Sequence, residues 1–499
     1  MQIERALADE EGTVRLAEDL AAILHPGDVL ALDGDLGAGK TTFARYLIRA
    51  FADDPALEVP SPSFTLVQTY STSRLSLHHF DFYRLEDPDE VDETGFVDAA
   101  TDGACLVEWP QRAAKNIPDN ALWISFEIGA NQSRTLRITT QSPVDWQARL
   151  ERTFAVRAFL ADHNRATGRR RHLTGDASTR AYERIACDGE RLVLMNAAAQ
   201  SDGPPIRNGK PYSRIAHLAE SVRPFVAIGR ALAERHYSAP AIPAADLTNG
   251  LLLLEDLGDK PVVEDGKPVA VRYEAAIDLL ADFHGQSWPD RVPVGDGTDH
   301  VVPRYDEDAF LIEIGLYPAW YVPYTAGAPA TAEAASDFEA LWKAAIDRLD
   351  PLETTWVLRD FHSPNLIWLP EREGVRRLGL LDFQDTLIGP KAYDVASLCQ
   401  DARVDVPTAL GDALFERYCD RRSERDETFD RDGFSRDFAI LAAHRATKVL
   451  GIFARLNDRD GKPSYLRHIP RLNAYLARNL AHPDLCELRA WYARNAPAK

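Results

Sequence analysis

Two separate groups of side chains in this sequence have the types and spacing needed to handle phosphate. The first is the run Gly34-Asp35-Leu36-Gly37-Ala38-Gly39-Lys40-Thr41, which fits G-x-x-x-x-G-K-[ST] without a gap. A glycine-rich turn of this kind aims backbone N–H groups at one spot, at the positive end of the helix that follows, and so holds di- and triphosphate oxygens. Gly37, Gly39, Lys40, Thr41 and Thr42 are the candidate nucleotide-binding residues; Lys40 would reach the β/γ-phosphates and the Thr41 hydroxyl would take a Mg²⁺ position. The second group is Asp360 and Asn365, five residues apart in a polar loop, with Asp382 seventeen residues further on. Phosphoryl transfer needs a carboxylate to orient and deprotonate the attacking hydroxyl, plus an amide oxygen and a second carboxylate to hold metal. Asp360 fits the first role, and Asn365 and Asp382 the others.

The elements around each group are of the right kind. Asp28 to Leu32 reads as a short buried strand and Thr42 to Arg49 has helical spacing, so the glycine turn joins strand to helix. Two further strand-like runs end on carboxylates: Ser76 to Asp81, and Ala104 to Glu108, which is followed by Trp109-Pro110. Asp81 could bind Mg²⁺ opposite Thr41, and Glu108 is placed to orient or activate an attacking water. Ser61 and Ser63, in a Pro/Ser passage, have hydroxyls available for phosphate or metal, but by itself the passage reads as an ordinary loop. Residues 10–25 form an amphipathic helix, and the alternating runs 122–128 and 135–139 predict a hairpin.

Taken together, GDLGAGKTT, SPSFTLV, HHFDFYRL and LVEWP, in that order, resemble the TsaE family of small bacterial P-loop ATPases across essentially residues 1–140. The resemblance implies an ATPase serving the synthesis of threonylcarbamoyladenosine in tRNA. Its partners would be the subunits of the transferase complex, on separate chains. The family pattern falls on Lys40, Thr41, Asp81, Glu108 and Trp109.

Beyond about residue 145 the pattern changes. A helix is predicted from Trp146 to about Asp162, and the basic stretch from Asn164 to Arg171 reads as a solvated turn. Then come a small-residue turn with Ser178 and Thr179, a strand at 191–196, helix over most of 214–234, and the buried strand Leu251 to Glu255. The chain leaves that strand through Asp256-Leu257-Gly258, a candidate hinge between two lobes, with Glu255 and Leu257 positioned to meet a nucleotide. The loop Leu358-Arg359-Asp360-Phe361-His362-Ser363-Pro364-Asn365 departs from H-G-D-x-H-x-x-N of the aminoglycoside-phosphotransferase-like kinases at its first two positions. GDASTRAY, LLLLEDLGD, RDFHSPNL and LLDFQD resemble more closely the bacterial anomeric kinases of N-acetylmuramate and N-acetylglucosamine, over about residues 152–480. That resemblance implies phosphorylation of a small amino sugar by ATP in cell-wall recycling. The strand that carries the ATP-binding lysine in most kinases reads Leu192-Val193-Leu194-Met195-Asn196, without a lysine. The anomeric-kinase group shares this gap; Arg180 is a candidate to meet the α/β-phosphates instead.

The expected architecture is multidomain: an α/β P-loop NTPase domain over 1–145, then a two-lobed α+β kinase-like domain, with its N-lobe and linker helix over 146–257 and a helical C-lobe over 258–499. The formal charge of −20 argues against broad nucleic-acid binding, which needs a basic face. No apolar run approaches a membrane span, and no signal core is present at the start. Five scattered cysteines without metal spacing read as free thiols of a reducing compartment, so a cytoplasmic protein is expected. ATP and Mg²⁺ are the expected cofactors. Two alternatives stay open: a kinase half acting on an aminoglycoside or another hydroxyl compound, or an inactive kinase half in a nucleotide-dependent assembly factor.

Overall fold

A computed structural model describes residues 2–72, 74–129, 134–173, 180–199 and 202–495. The chain divides into two compact units, one formed by Met1–Ala198 with Pro243–Asp256 and the other by Ala199–Ile242 with Leu257–Lys499.

The first unit holds two sheets. The larger contains β1 (Gln2–Leu7), β2 (Val29–Gly34), β3 (Val67–Ser71), β4 (Ser76–Asp81), β5 (Ala104–Glu108), β6 (Leu122–Ile128) and β7 (Arg134–Thr139), in the order β1-β7-β6-β2-β5-β4-β3. Its middle is parallel: β2 pairs with β5 and β6, and β4 with β5. Parallel strands are covered on both faces, and β2 shows why its run is apolar throughout. Leu30 and Leu32 enter a core with Phe43 and Leu47, while Val29 and Ala31 enter another with Phe80, Phe96 and Val107. Helices α1 (Glu10–Ala21, capped by Asp9) and α2 (Lys40–Ala52) supply the first of these cores. The predicted hairpin is β6–β7, with Ile124 opposite Ile138. Ahead of the expected helix the chain adds β1, and Pro88–Thr94 form a 3₁₀ segment leading through Gly95 into α3 (Phe96–Asp102).

The smaller sheet has five strands: β8 (Arg169–Leu173), β9 (Ala181–Cys187), β10 (Glu190–Asn196), β11 (Ala244–Asp246) and β12 (Leu251–Glu255), ordered β11-β12-β10-β9-β8. Helix α4 (Pro143–Asp162) joins the two sheets. Trp146 and Leu150 pack into the core of the first, and Val156, Phe159 and Leu160 into that of the second with Ile185, Leu194 and Leu253. The solvated basic turn expected at 164–171 is corrected here. Residues from Arg169 onward are β8, and the Arg170 side chain is 1% exposed. Four arginines tie α4 and β8 to α1 and to the chain entering β2: Arg149 to Asp28 at 2.6 Å, Arg157 and Arg170 to Asp19 at 2.7 Å each, and Arg169 to Glu18.

The second unit is mainly helical. Its longest helix, Arg431–Asp458, runs through a core of Tyr317, Phe338, Trp342, Leu450, Phe453 and Trp491. Here the helix predicted across 214–234 is two pieces, α5 (Tyr212–Ile215) and α6 (Arg223–Glu234), with non-helical chain between them. Among the described residues no helix is long and apolar enough to cross a membrane. All five cysteines are free; four are buried and Cys486 is exposed.

Candidate active sites in two separate units

In the first unit the glycine turn leaves β2 and enters α2, as its sequence requires. Gly34, Gly37 and Gly39 all have positive φ, at 141°, 80° and 111°. At Gly34 the demand is also steric, since a Cβ would lie 2.7 Å from the Phe126 carbonyl. Lys40 and Thr41 open α2, with Thr42 in the same first turn. The Lys40 ammonium donates to the carbonyls of Gly34 at 2.6 Å and Asp35 at 3.0 Å, and lies 3.8 Å from the centre of the Trp109 ring. Burial lowers its pKa, and Glu108, Asp33, Asp81 and Asp35 oppose that shift.

β2 and β5 lie side by side with Leu32 opposite Glu108, which brings the end of β5 to the start of α2. Thr41 Oγ1 donates to Glu108 Oε2 at 2.8 Å. Asp81 stands beside Glu108 across the β4–β5 pair. It accepts from Ser63 Oγ at 2.6 Å, Ser61 Oγ at 3.2 Å and the Tyr83 N–H at 3.0 Å. The two serines therefore hold Asp81. Trp109 adopts φ 58° and its ring lies 5.0 Å from that of Tyr83. Lys40, Thr41, Asp81, Glu108 and Trp109 thus converge, although Thr41 meets Glu108 and not Asp81. One residue carried no assigned role in the sequence: His79, fully buried on β4, whose Nε2 is 2.9 Å from Glu108 Oε1. A histidine pointing inward from an alternating apolar strand was the available signal.

In the second unit the strand Thr354–Val357 leads into the loop of Asp360. Asp394, fully buried, accepts from the N–H groups of Leu358 at 2.6 Å and Arg359 at 2.9 Å. Arg359 takes φ 64° and directs its guanidinium inward, to Glu313 and, at 2.9 Å, to the Ala216 carbonyl. Asp401 accepts from the Ser363 N–H at 2.8 Å. Asn365 Nδ2 donates to the Asp360 carbonyl at 2.9 Å, which leaves its amide oxygen as a donor for metal. The short strands Leu366–Trp368 and Leu378–Leu380 pair antiparallel, and the Leu381 N–H donates to the Asn365 carbonyl at 2.9 Å. This pairing sets Asp382, at φ 57°, beside Asn365; Gln384 Nε2 donates to Asp382 Oδ1 at 2.6 Å. Burial raises the pKa of Asp360, but Lys448, His362, Arg445 and Arg359 outweigh it and keep the carboxyl ionised. Lys448 is itself buried and paired with Glu313 at 2.7 Å.

Sequence reasoning missed Glu313 and Lys448. The only signal was a lone charge inside an apolar helical run, AFLIEIGLY for one and ATKVLGIF for the other. Glu255 ends β12 in the first unit, and Leu257 begins the return of the chain in the second. Ser178 and Thr179 lie outside the described residues, and Arg180 directly precedes β9. β10 carries no lysine.

Both sites offer oxygen donors in ones and twos; among the described residues no cluster of three or more His, Cys, Asp or Glu is placed to hold a metal. That donor chemistry suits Mg²⁺, which is bound through one or two carboxylates together with substrate phosphates.

Comparison with known proteins gives each site its own family, although the second match begins within the first unit. Residues 7–136 match the profile of the threonylcarbamoyl adenosine biosynthesis protein TsaE, and residues 169–431, over half of the chain, match the phosphotransferase enzyme family. The chain belongs to both families. Its phosphotransferase part is similar to the N-acetylmuramate/N-acetylglucosamine kinase of Caulobacter vibrioides, 38% identical over 361 residues, covering 70% of this chain and 98% of that one. The Pseudomonas aeruginosa kinase of the same description is 34% identical, with 63% of this chain and 85% of the other covered. The TsaE part is similar to the TsaE protein of Rickettsia felis, 38% identical over 136 residues, 27% of this chain and 79% of that protein. The protein thus joins a TsaE domain to an amino-sugar-kinase-like phosphotransferase domain, both ATP-using enzymes that work with Mg²⁺.

Proposed function

We propose that the protein is bifunctional: its TsaE domain hydrolyses ATP in support of threonylcarbamoyladenosine formation in tRNA, and its phosphotransferase domain phosphorylates N-acetylmuramate or N-acetylglucosamine at the anomeric hydroxyl, in recycling of cell-wall sugars. The observation that carries the kinase reading is the meeting of Asp360, Asn365 and Asp382 on adjacent loops, in a chain 38% identical to a kinase of those sugars.

In the phosphotransferase site Asp360 orients the anomeric hydroxyl and accepts its proton. As the sugar oxygen bonds to the γ-phosphorus of ATP, the bond from that phosphorus to the β,γ-bridging oxygen breaks and ADP leaves. The ionised state of Asp360, held by Lys448, suits a proton acceptor. Asn365 and Asp382 would hold Mg²⁺, which neutralises charge on the phosphates when bound. In the TsaE site Lys40 exchanges its loop carbonyls for phosphate oxygens, Thr41 and Asp81 would hold Mg²⁺, and Glu108 positions the attacking water. His79 fixes the Glu108 carboxylate from behind. Trp109 stacks beside Lys40 and borders the nucleotide. The partners of this domain are the separate subunits of the threonylcarbamoyl-transferase complex. Three apolar side chains left exposed in the nucleotide-binding region, Leu36, Phe64 and Tyr83, support a docking role there.

The test is to incubate the full chain with Mg-ATP and each sugar, or an aminoglycoside, and to identify product by mass and phosphorus NMR. An anomeric sugar phosphate that disappears with Asp360→Asn and persists with Lys40→Ala supports the reading. Phosphorylation of the aminoglycoside alone would replace the substrate, and nucleotide binding without any product would replace the reaction.

A further inference from the structure

A short stretch of chain links the loop of Asp360 to the loop of Asp382. Residues 216–219 follow α5, outside any helix, and belong to the second unit with both loops. At one end the Ala216 carbonyl accepts from Arg359 Nη1 at 2.9 Å; at the other the Ala219 N–H donates to Asp385 Oδ1 at 2.7 Å. Arg359 directly precedes Asp360, and Asp385 stands three residues after Asp382. Between these ends His217 adopts φ 54°, and its Nε2 lies 3.0 Å from Asp306 Oδ2. Asp306 caps the helix Glu307–Ile314, which carries Glu313, the ion-pair partner of Arg359.

Arg359 stands where the aminoglycoside-phosphotransferase motif has glycine. Its φ of 64° costs glycine nothing but strains a residue with a Cβ. Such strain persists where the surrounding bonds over-determine the backbone. Here they do: the side chain is 3% exposed and bonded to Glu313 and Ala216, and the Arg359 N–H donates to Asp394 at 2.9 Å. Burial lowers the pKa of Arg359, but Glu313, Tyr305 and Asp385 more than reverse it. The side chains that grip the two ends of the link therefore also attract each other. A second tie between the loops, from the Leu381 N–H to the Asn365 carbonyl at 2.9 Å, holds the Asn365 end of the catalytic loop. The link through 216–219 holds the Asp360 end.

We propose that Arg359 and Asp385 are positioning residues for phosphoryl transfer: by gripping the two ends of residues 216–219 they fix the spacing between the carboxylates of Asp360 and Asp382. The inference rests on the kinase reading of those two aspartates. Transfer needs the attacking oxygen, the phosphorus and the leaving oxygen in line, and a misplacement of about 1 Å costs about 10²-fold in rate. Neither Arg359 nor Asp385 touches the reacting atoms; each acts through the loop it holds.

The experiment compares the full-length wild type with Arg359→Gly, Asp385→Ala and the double variant in sugar phosphorylation with Mg-ATP. Arg359→Gly removes the guanidinium and relieves the backbone; Asp385→Ala removes the acceptor of the Ala219 N–H. Each single change is expected to lower kcat by about tenfold or more and to leave KM for sugar and ATP within a few fold. Because both act through one link, the double variant should lose no more than the worse single one. Asp385→Asn, which keeps Oδ1 as acceptor, should stay within a few fold of wild type. Losses that multiply in the double variant, or an Asp385→Asn as impaired as Asp385→Ala, would overturn the assignment. If Arg359→Gly does not fold, the two Asp385 variants decide it. If wild type phosphorylates no acceptor, the kinase reading itself fails. Hydrogen exchange on the full chain then decides the link: Asp385→Ala should lower protection at 358–365 as well as at 216–219, and an unchanged catalytic loop overturns it.

Discussion

Arg170 on β8 and Asp19 on α1 meet at 2.7 Å with both side chains almost wholly buried, although 151 residues separate them. The same guanidinium donates to both oxygens of Glu183, at 2.6 and 2.8 Å. Burial alone would raise the pKa of Glu183, and Arg170 more than reverses it. Arg170→Ala leaves two buried carboxylates short of a counter-charge, and such a removal costs about 3–5 kcal/mol. The unfolding transition of the first unit, followed in urea by fluorescence, should move to lower denaturant by the corresponding amount. An unchanged midpoint would mean that water already reaches the pair.

The Thr41–Glu108 bond places a carboxylate at the start of the phosphate-binding helix. Glu108→Gln keeps the shape and a hydrogen-bond partner for Thr41 but removes the ionised group. ATP hydrolysis by the TsaE domain, measured with Asp360→Asn in the background to silence the kinase, should fall by about 10²-fold or more. Equilibrium affinity for a nucleotide analogue should stay within a few fold. Loss of nucleotide binding instead would place Glu108 in the binding contacts.

Asp360→Asn removes the carboxylate proposed as proton acceptor and leaves the loop geometry, which is set by Asp394 and Asn365 through backbone atoms. Sugar phosphorylation should drop by about 10²–10⁴-fold in kcat, with small change in KM. Lys448→Met is expected to raise the pKa of Asp360, because Lys448 is the leading charge holding it down. The acidic limb of the kcat profile should then shift to higher pH, a change that a purely structural defect would not produce.

His444 is fully buried and donates to the Phe310 carbonyl at 3.0 Å. Burial pushes its pKa down to about 4. In the unfolded chain histidine titrates near 6.5, so between about pH 6.5 and 4 only the unfolded state takes up this proton. Stability is therefore lost as pH falls through that window, by at most about 3 kcal/mol for this one group. Glu313 acts lower: burial raises its pKa, Lys448 and Arg359 outweigh it to about 2, and its contribution fades only below the ordinary carboxylate range. His444→Gln, which keeps a donor and does not titrate, should flatten the upper part of the acid transition and leave the lower part.

Thiol reactivity offers a fifth check. Burial raises the pKa of Cys105 and Cys419 to about 12, and Cys399 higher still, while Cys486 is exposed. One thiol should react rapidly with a disulfide reagent under native conditions, and the others only on unfolding. Two fast thiols would indicate local opening around a buried cysteine.

The sequence by itself determined the phosphate-binding turn, its strand and helix, the β6–β7 hairpin, and the position of Asp81 and Glu108 at strand ends and of Asp360, Asn365 and Asp382 in loops. These are local patterns, in which chemistry, backbone preference and apolar period act over a few neighbouring residues. Tertiary structure decided the rest. It turned Arg169–Leu173 from an apparent solvated turn into a strand, because Asp19 and Glu183 are there to receive Arg170. It placed His79 behind Glu108, and set Glu313 and Lys448 near Asp360. A charge inside an apolar run has no meaning until its partner arrives from elsewhere in the chain, and burial then fixes whether it is a cost or a constraint.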